Sequence, residues 1–473
     1  MNQNLTALLP ELLLLGAAVV GLVTGSWLPR RRQWIVAALV AAACTAGLTA
    51  TAVTMATGRE QTVFSSAFAV DTATDIGRLI VLTALLLIVG MSVETVRDHR
   101  NETEYWVLLS LSGAGTLAMT GADDLLMLFA GYLLASLPAY ALAAFARDAR
   151  GTEAALKYYL MGALLGTTML AGTALLYGAG HTTGYGALSK ALPGAPYGPV
   201  AVGLVGVLAG LLFKIGAVPA HFWVPDVTDG APTPVAAYVT TLPKIGALIA
   251  AYRLLHQAFA DSDVNWPLLV AVVAAATMTL GNLAAFFQTS VKRLLAYSTI
   301  SQVGYLLMAV AVATRSELAQ RGLLFYLAAY TVTHLGAFAV LTELPRARSL
   351  ADYRGLARSR PGLAAVLVVC LLGLVGTPPT GVFLGKLEVF SASVDGGQTW
   401  LAALAVANTV ASLFYYLRWL GPLFVTTGAA PAAAHAVRGR AAAVTACTAA
   451  VLSLALGIGG QALLTLADDP LLP

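Results

Sequence analysis

Charge is what this chain has least of. Asp, Glu, Lys and Arg make up 11% of its 473 residues, against roughly a quarter in soluble domains. Hydrophobic side chains make up 58%. A water-soluble fold of that composition would carry far more apolar surface than one core can hide, which excludes a soluble enzyme domain; the bilayer is the solvent that fits. Cysteine is scarce too. Cys44, Cys370 and Cys447 each stand alone in an apolar run. With no CxxC pair and no Cys/His cluster, the sequence excludes iron–sulfur, zinc and disulfide frameworks, and all three are expected to be small buried hydrophobes. No Gly-rich phosphate loop, nucleotide fingerprint or Ser/His/Asp set stands out. The Gly-rich strings lie inside apolar spans, where close helix packing explains them. The basic clusters are short, need no nucleic acid and are explained by topology. Positive charge is missing from the N-terminal Met1-Asn2-Gln3-Asn4; Arg30-Arg31-Arg32 follow the first apolar run instead. That order opposes a cleavable signal peptide and favours a first membrane span with its N-terminus outside. No long soluble tail is visible, so any catalytic domain is expected on other chains.

What is present is a succession of apolar segments, at 5–25, 34–55, 76–93, 105–121, 124–146, 155–177, 200–220, 234–257, 265–287, 294–314, 319–341, 362–382, 399–421 and 441–466. Each is long enough to cross a hydrocarbon layer of roughly 30 Å. The reading is an all-α polytopic membrane protein of about fourteen transmembrane helices. Charge placement supports it. With Arg78, Lys214 and Lys244 inside spans, eighteen Lys and Arg fall on or beside odd-numbered loops. Six (Arg59, Lys190, Arg253, Arg315, Arg321 and Lys386) fall on even ones. This bias places the odd loops in the cytoplasm and both termini on the other side of the cell (inner) membrane.

Two spans are interrupted by proline. The seventh runs Lys214-Ile215-Gly216-Ala217-Val218-Pro219, then Ala220-His221-Phe222-Trp223-Val224-Pro225-Asp226; the twelfth runs Gly376-Thr377-Pro378-Pro379-Thr380-Gly381 and on to Lys386. Proline removes a backbone donor and clashes with the preceding turn, and a broken helix at membrane depth needs protein or water to satisfy the freed groups. The breaks lie five helices apart. That spacing suggests two five-helix units, inverted because five is odd, as in transporters with paired broken helices. The implied organisation is a three-helix segment over 1–104, repeats over 105–257 and 258–421, and a last helix within 422–473.

The chemistry-bearing candidates sit near these breaks. Lys214 precedes the first break, Lys244 follows Pro243, and Lys386 follows the second break. A lysine at a helix centre is costly to insert, and burial favours its neutral form, which makes it a usable proton carrier. The alternative is a snorkelling lysine near a helix end or, for Lys386, a simple pair with Glu388. His221, in the first break, and His334, mid-span, are candidate relays; hydrogen-bonded structural histidines are the alternative. Asp124 is expected to cap the fifth span. Glu153 and Lys157 are spaced for an i,i+4 pair, or Lys157 faces a hydrated interior. Lys292-Arg293 is expected to anchor the tenth span at the surface.

Several strings carry a resemblance to a known family. They are Glu153-Ala154-Ala155-Leu156-Lys157-Tyr158-Tyr159, Phe213-Lys214 through Val227, Gly230-Ala231-Pro232-Thr233-Pro234 and Pro243-Lys244. To these add Lys292-Arg293-Leu294-Leu295-Ala296-Tyr297-Ser298-Thr299-Ile300 and Pro378-Pro379-Thr380-Gly381 with Gly385-Lys386. At these residues, over about 5–465, the chain resembles the subunit N family of the proton-pumping NADH–quinone oxidoreductase, respiratory complex I, within the antiporter-like superfamily. The resemblance implies fourteen helices with two inverted five-helix bundles and broken helices 7 and 12. It implies a polar axis at mid-membrane holding Lys214, Lys244 and Lys386. It also implies a translocase subunit with no cofactor of its own, its partners the other membrane-arm subunits and the lipid bilayer. NADH, FMN, iron–sulfur clusters and quinone would be handled by those other subunits.

Two positions depart from the family pattern. Where the family carries a glutamate in helix 5, the string Gly131-Tyr132-Leu133-Leu134-Ala135-Ser136-Leu137-Pro138 has Leu133, so the expected ion-pair partner of Lys214 is absent. Asp124 is nine residues earlier, about 13.5 Å along a helix, and cannot replace it. Gln302 stands where subunit N often has histidine and related antiporter-like subunits have glutamine. Two further readings follow from this: a subunit of a multisubunit cation/proton antiporter, and a divergent scaffold copy that has lost pumping.

Overall fold

The structure is a computed structural model that describes residues 4–58, 60–425, 439–468 and 471–472. Arg59 and one odd-loop arginine, Arg438, lie outside the described residues. The N-terminal region comprises α1 (Leu9–Trp27), α2 (Trp34–Thr57), a small hairpin of β1 (Gln61–Val63) and β2 (Phe68–Val70), and α3 (Thr72–Val96). Then come α4 (Glu102–Thr120), α5 (Leu125–Ala143), α6 (Ala149–Gly180), the short α7 (Tyr185–Ala191), α8 (Tyr197–Ile215), α9 (Trp223–Gly230) and α10 (Thr233–Gln257). They are followed by α11 (Trp266–Phe286), α12 (Val291–Ala311), α13 (Leu318–Glu343), the one-turn α14 (Leu356–Ser359), α15 (Pro361–Val375) and α16 (Gly381–Asp395). The chain closes with α17 (Thr399–Phe424), α18 (Ala441–Ile458) and α19 (Gly460–Leu466).

Each apolar segment overlaps a helix; the seventh and twelfth overlap helices that stop at breaks, and the fourteenth is divided at Gly459 into α18 and α19. Among the described residues, twelve helices are long and apolar enough to cross a membrane. α4 is not among the twelve. Nor is α15, which has 15 residues, about 22 Å of helix, and needs its continuation in α16 to reach further. The helices are longer than the apolar runs alone suggest. α6 spans 32 residues, and α3 begins at Thr72 because Asp71 Oδ1 accepts from Thr74 N at 3.0 Å as its cap.

The hairpin lay outside the sequence reading. Its register pairs Gln61 with Val70 and Val63 with Phe68. Its turn uses Phe64, Ser65 and Ser66 at positive φ, without the Gly or Asn that normally marks such a turn. The hairpin packs onto the α4–α5 junction, where Ala69 N donates to Gly121 O at 2.8 Å and Asp123 N to Ala67 O at 3.0 Å.

Helix burial sorts the bundle into centre and rim. α10 and α13 are buried along their whole apolar windows, whereas α6 and α18 are one-third buried. Small residues set the closest approaches. A Cβ on Gly115 would lie 2.2 Å from Ala135 N, and one on Gly246 would lie 2.6 Å from Thr116 O, so α4 meets both α5 and α10 backbone to backbone, as small-residue interfaces in lipid allow. Both breaks use one device. Gly216, at φ +73, ends α8 and its N–H returns to Leu212 O and Phe213 O. Gly376, at φ +91, ends α15 and returns to Leu372 O and Gly373 O. Left-handed glycine is the ordinary helix C-terminal cap; here it stops a helix inside the bundle. Proline follows in each case, with a cis bond at Val218–Pro219 and at Pro378–Pro379.

Candidate functional site

All three singled-out lysines are withdrawn from the surface: Lys214 and Lys244 are 0% exposed and Lys386 is 3%. None snorkels. Lys214 Nζ donates to Ser136 Oγ at 2.7 Å and stands 5.4 Å from the centroid of the Tyr132 ring, a cation–π geometry. Lys244 Nζ donates to Thr299 Oγ1 at 3.0 Å. Lys386 Nζ donates to Val375 O at 2.8 Å and reaches Thr409 Oγ1 at 3.4 Å, 4.4 Å over the Tyr305 ring.

The breaks put helix C-termini against two of these ammonium groups. Val375 is the last residue of α15, so Lys386 occupies a carbonyl that the stopped helix leaves free. A Cβ on Gly216 would lie 3.7 Å from Lys244 Nζ, so Lys244 faces the end of α8 in the same way. A helix C-terminus carries partial negative charge and favours a cation. Each break thus supplies, from backbone alone, part of the compensation that a buried lysine needs.

Hydroxyl groups extend the site from Lys244. Thr299 Oγ1 is in hydrogen-bond contact with Tyr330 OH, and Tyr330 OH donates to Thr240 O at 3.2 Å. His334 Nε2 meets Thr240 Oγ1 at 3.1 Å, and its Nδ1 has no partner. Gln302 Nε2 donates to Leu374 O at 2.7 Å and its Oε1 accepts from Tyr326 OH, so the residue at the variant position braces the end of α15. The arrangement can pass a proton between amine, hydroxyl and imidazole groups in a water-poor interior. Among the described residues no His/Cys/Asp/Glu group is arranged to hold a metal.

The other sequence candidates distribute as follows. His221 is buried within the first break, with Nδ1 unpartnered and its ring against Phe222; no hydrogen bond joins it to a lysine. Glu388 pairs with Arg321 at 3.1 Å rather than with Lys386. Asp124 caps α5, accepting from Leu126 N at 2.7 Å and Met127 N at 3.2 Å. Lys157 bridges Glu153 and Asp226, each at 2.8 Å, and Arg293 joins Asp226 at 3.1 Å. Burial alone would raise the Asp226 carboxyl, but Lys157 and Arg293 hold it below its ordinary value. Lys292 donates to Ala231 O at 2.7 Å. Leu133 is 37% exposed, on the outer side of α5, while Tyr132 and Ser136 face Lys214.

Three expectations need correction. Lys386, counted with the even-loop charges, is buried within α16. Cys447 is exposed, because it lies on the outer face of the thinly covered α18. Arg253 is not a loop charge: it is 0% exposed within α10 and forms a two-pronged pair with Asp71, Nη1 to Oδ2 and Nη2 to Oδ1, each at 2.7 Å. Sequence reasoning missed this pair and a second one, in which Arg78 meets Glu11 at 2.8 Å and Asp75 at 2.9 Å. It also missed the hydroxyl partners Ser136, Thr299, Tyr330 and Thr409. The one available signal was a basic residue inside an apolar span, which requires a carboxylate somewhere. Near the odd-loop ends of α3, α10 and α12 a cavity of about 420 Å³ is lined by residues including His99, Asp148, Arg150, Asp229, Lys292 and Arg348.

Broken helices stopped against buried lysines define a polytopic antiporter-like membrane subunit. The family profile of the NADH:quinone oxidoreductase/Mrp antiporter transmembrane proteins matches residues 122–412. The chain is 53% identical to NADH-quinone oxidoreductase subunit N 1 of Streptomyces griseus, over 97% of this chain and 96% of that one. It superposes on a chain of respiratory complex I from Thermus thermophilus with TM-score 0.84 and 31% identity, covering 98% of this chain and 100% of that one. A chain of the Mrp complex from Dietzia sp. shares the fold, with TM-score 0.86 and 24% identity over 98% of this chain and 97% of that one. The chain therefore belongs to the NADH:quinone oxidoreductase/Mrp antiporter membrane family.

Proposed function

We propose that this chain is the N subunit of a proton-translocating NADH–quinone oxidoreductase: a non-redox part of the translocase that moves protons while other subunits carry electrons from NADH to quinone. The observation that carries the reading is the lysine set. Lys214, Lys244 and Lys386 are buried, each within reach of a hydroxyl, and the last two lie against stopped helices. The resemblance to curated subunit N chains over nearly the whole length supports the complex I assignment over the cation/proton antiporter, whose likeness is one of fold.

In this reading Lys244 is the central carrier, Thr299, Tyr330, Thr240 and His334 link it across the bundle, and Lys214 and Lys386 end the axis within the chain. His221 serves the first break. α10 threads the whole arrangement. Its N-terminus opens on the polar cavity at the odd-loop end, the proposed uptake mouth on the cytoplasmic side, and Lys244 lies eleven residues on, about 16 Å away. The fourteen crossings of the inner membrane rest on the fourteen apolar segments, and the placement of both termini outside rests on the charge bias. The two repeats are bounded by 105–257 and 258–421. Quinone, FMN and iron–sulfur clusters belong to partner subunits.

Lys244→Met in the assembled complex tests the reading, because Met fills similar space and cannot carry a proton. The expected result is a lower ratio of protons moved to electrons transferred in proteoliposomes, with assembly intact. An unchanged ratio and turnover would sink the pumping role and leave the scaffold reading suggested by Leu133.

A further inference from the structure

The C-terminal end of α10 holds a second polar cluster outside the lysine axis. Arg253 is held by Asp71, and its Nη2 also donates to Thr74 Oγ1 at 3.0 Å. Its Nε has no partner. Two more buried atoms in the same place are also unpartnered: Asp123 Oδ1 and Tyr185 OH. The three residues lie within electrostatic range of one another, with Asp124 at the edge of the group. Beyond Asp71, Asp75 is engaged by Arg78. Tyr185 is tied to the spot by its own backbone, since its N–H donates to Asp123 O at 3.0 Å.

Leaving a buried polar group unpaired costs free energy comparable to a lost hydrogen bond, and three in one place exceed what chance burial explains. Two are donors, the guanidinium N–H and the phenol, and one is a carboxylate oxygen. A water molecule takes two such donors and returns a proton to the third group, and buried waters characteristically satisfy two to four partners. A bare cation fits worse, because the guanidinium N–H would point at it. The cluster meets the surface only at Asp123, which is 6% exposed against 0% for Arg253 and Tyr185, beneath the hairpin on the even-loop side.

We infer that Asp123, Arg253 and Tyr185 enclose a water-binding site that is the proton outlet of this subunit at the even-loop end of α10. The inference rests on the proton-path reading proposed above. Arg253 lies nine residues beyond Lys244, about 13.5 Å along the helix. Along that stretch the Thr116 methyl packs at Gly246, and the hydroxyls of Thr116 and Thr120 return to Ser112 O and Leu117 O of their own helix. Thr120 O accepts from Thr74 Oγ1 at 3.4 Å, next to Arg253. Asp123 receives the proton through the water and releases it at the surface. Burial pushes the Asp123 carboxyl up to about 7, within reach of both protonation states near neutral pH.

Asp123→Asn and Tyr185→Phe in the assembled, reconstituted complex test the assignment beside Lys244→Met. If outlet and carrier act in series, Asp123→Asn loses the same fraction of the proton-to-electron ratio as Lys244→Met, and the double variant loses no more. A wild-type ratio in Asp123→Asn where Lys244→Met lowers it overturns the outlet and leaves the carrier. If Lys244→Met leaves the ratio unchanged, the pumping reading fails first, and infrared difference spectra decide the site. A protonated-carboxyl band that titrates near neutral pH and vanishes in Asp123→Asn, with a buried-water band shifted in Tyr185→Phe, sustains the water site. Absence of both overturns it.

Discussion

Asp71→Asn isolates one charge in the most deeply buried ion pair among the described residues. Asparagine is as good a helix cap as aspartate, so the bond to Thr74 N that starts α3 survives. What is lost is the anion. The Arg253 guanidinium, 0% exposed, keeps Thr74 Oγ1 and one carbonyl oxygen but faces an amide NH₂ where a carboxylate oxygen stood at 2.7 Å. Removing one partner of a buried pair costs about 3–5 kcal/mol, because the other charge stays in the interior uncompensated. That is a hundredfold or more in the folding equilibrium at about 1.4 kcal/mol per decade. Asp123 is near enough to recover part of the loss, which places the expected value at the lower end. Arg253→Met alone leaves a buried anion and should cost a similar amount. The double variant removes both charges and should be more stable than either single one, with a coupling of about 3 kcal/mol. The assay is denaturant unfolding of the chain in mixed micelles, followed by a thiol-reactive dye at buried Cys44 and Cys370 after exposed Cys447 is replaced. A loss below about 1 kcal/mol, the value for solvent-exposed pairs, would refute the claim that this pair is withdrawn from bulk solvent.

Other outcomes follow from the same geometry. The Asp123 carboxyl is raised to about 7 by burial, so its proton favours the folded state. That contribution is complete below the unfolded value near 3.8 and is lost as pH rises through about 7; the stability of the wild type relative to Asp123→Asn should fall between about pH 4 and pH 7 and level off above that. Gly115→Ala forces α4 away from the α5 backbone, 2.2 Å from the new Cβ, and should destabilise by about 1–3 kcal/mol, read in the same unfolding assay. Leu133→Glu should leave the proton-to-electron ratio unchanged, because the side chain at 133 is 37% exposed and Ser136 already accepts from Lys214; a raised ratio would show that a carboxylate there does reach the axis.

Much of the site's location was legible in the chain. Lys214, Lys244 and Lys386 stand out because a basic residue within an apolar run has few bland explanations, and Gly216-Ala217-Val218-Pro219 and Gly376-Thr377-Pro378-Pro379 mark where helices must stop. Asp124 was readable as a cap from its position alone. The partners were not. Ser136, Thr299 and Tyr330 are ordinary hydroxyls in apolar helices, and most such residues return a bond to their own helix, as Thr333 does to Ala329 O. Which of them turns to a lysine depends on the rotation of one helix against another.

What the sequence by itself determined is residence in the membrane, the order and position of the spans, the two breaks and the family. All of these rest on local hydropathy, on proline and glycine chemistry, or on short strings of residues. What only the tertiary structure decided is the pairing across the bundle. Arg253 finds Asp71 from 182 positions away, Lys386 takes the freed Val375 carbonyl in place of Glu388, Leu133 turns outward, and Asp123 joins Arg253 and Tyr185 beneath an unforeseen hairpin. The reason is physical. In a low-dielectric interior each charge must be compensated, but the compensating group is chosen by distance in space, and separation along the chain carries no record of it.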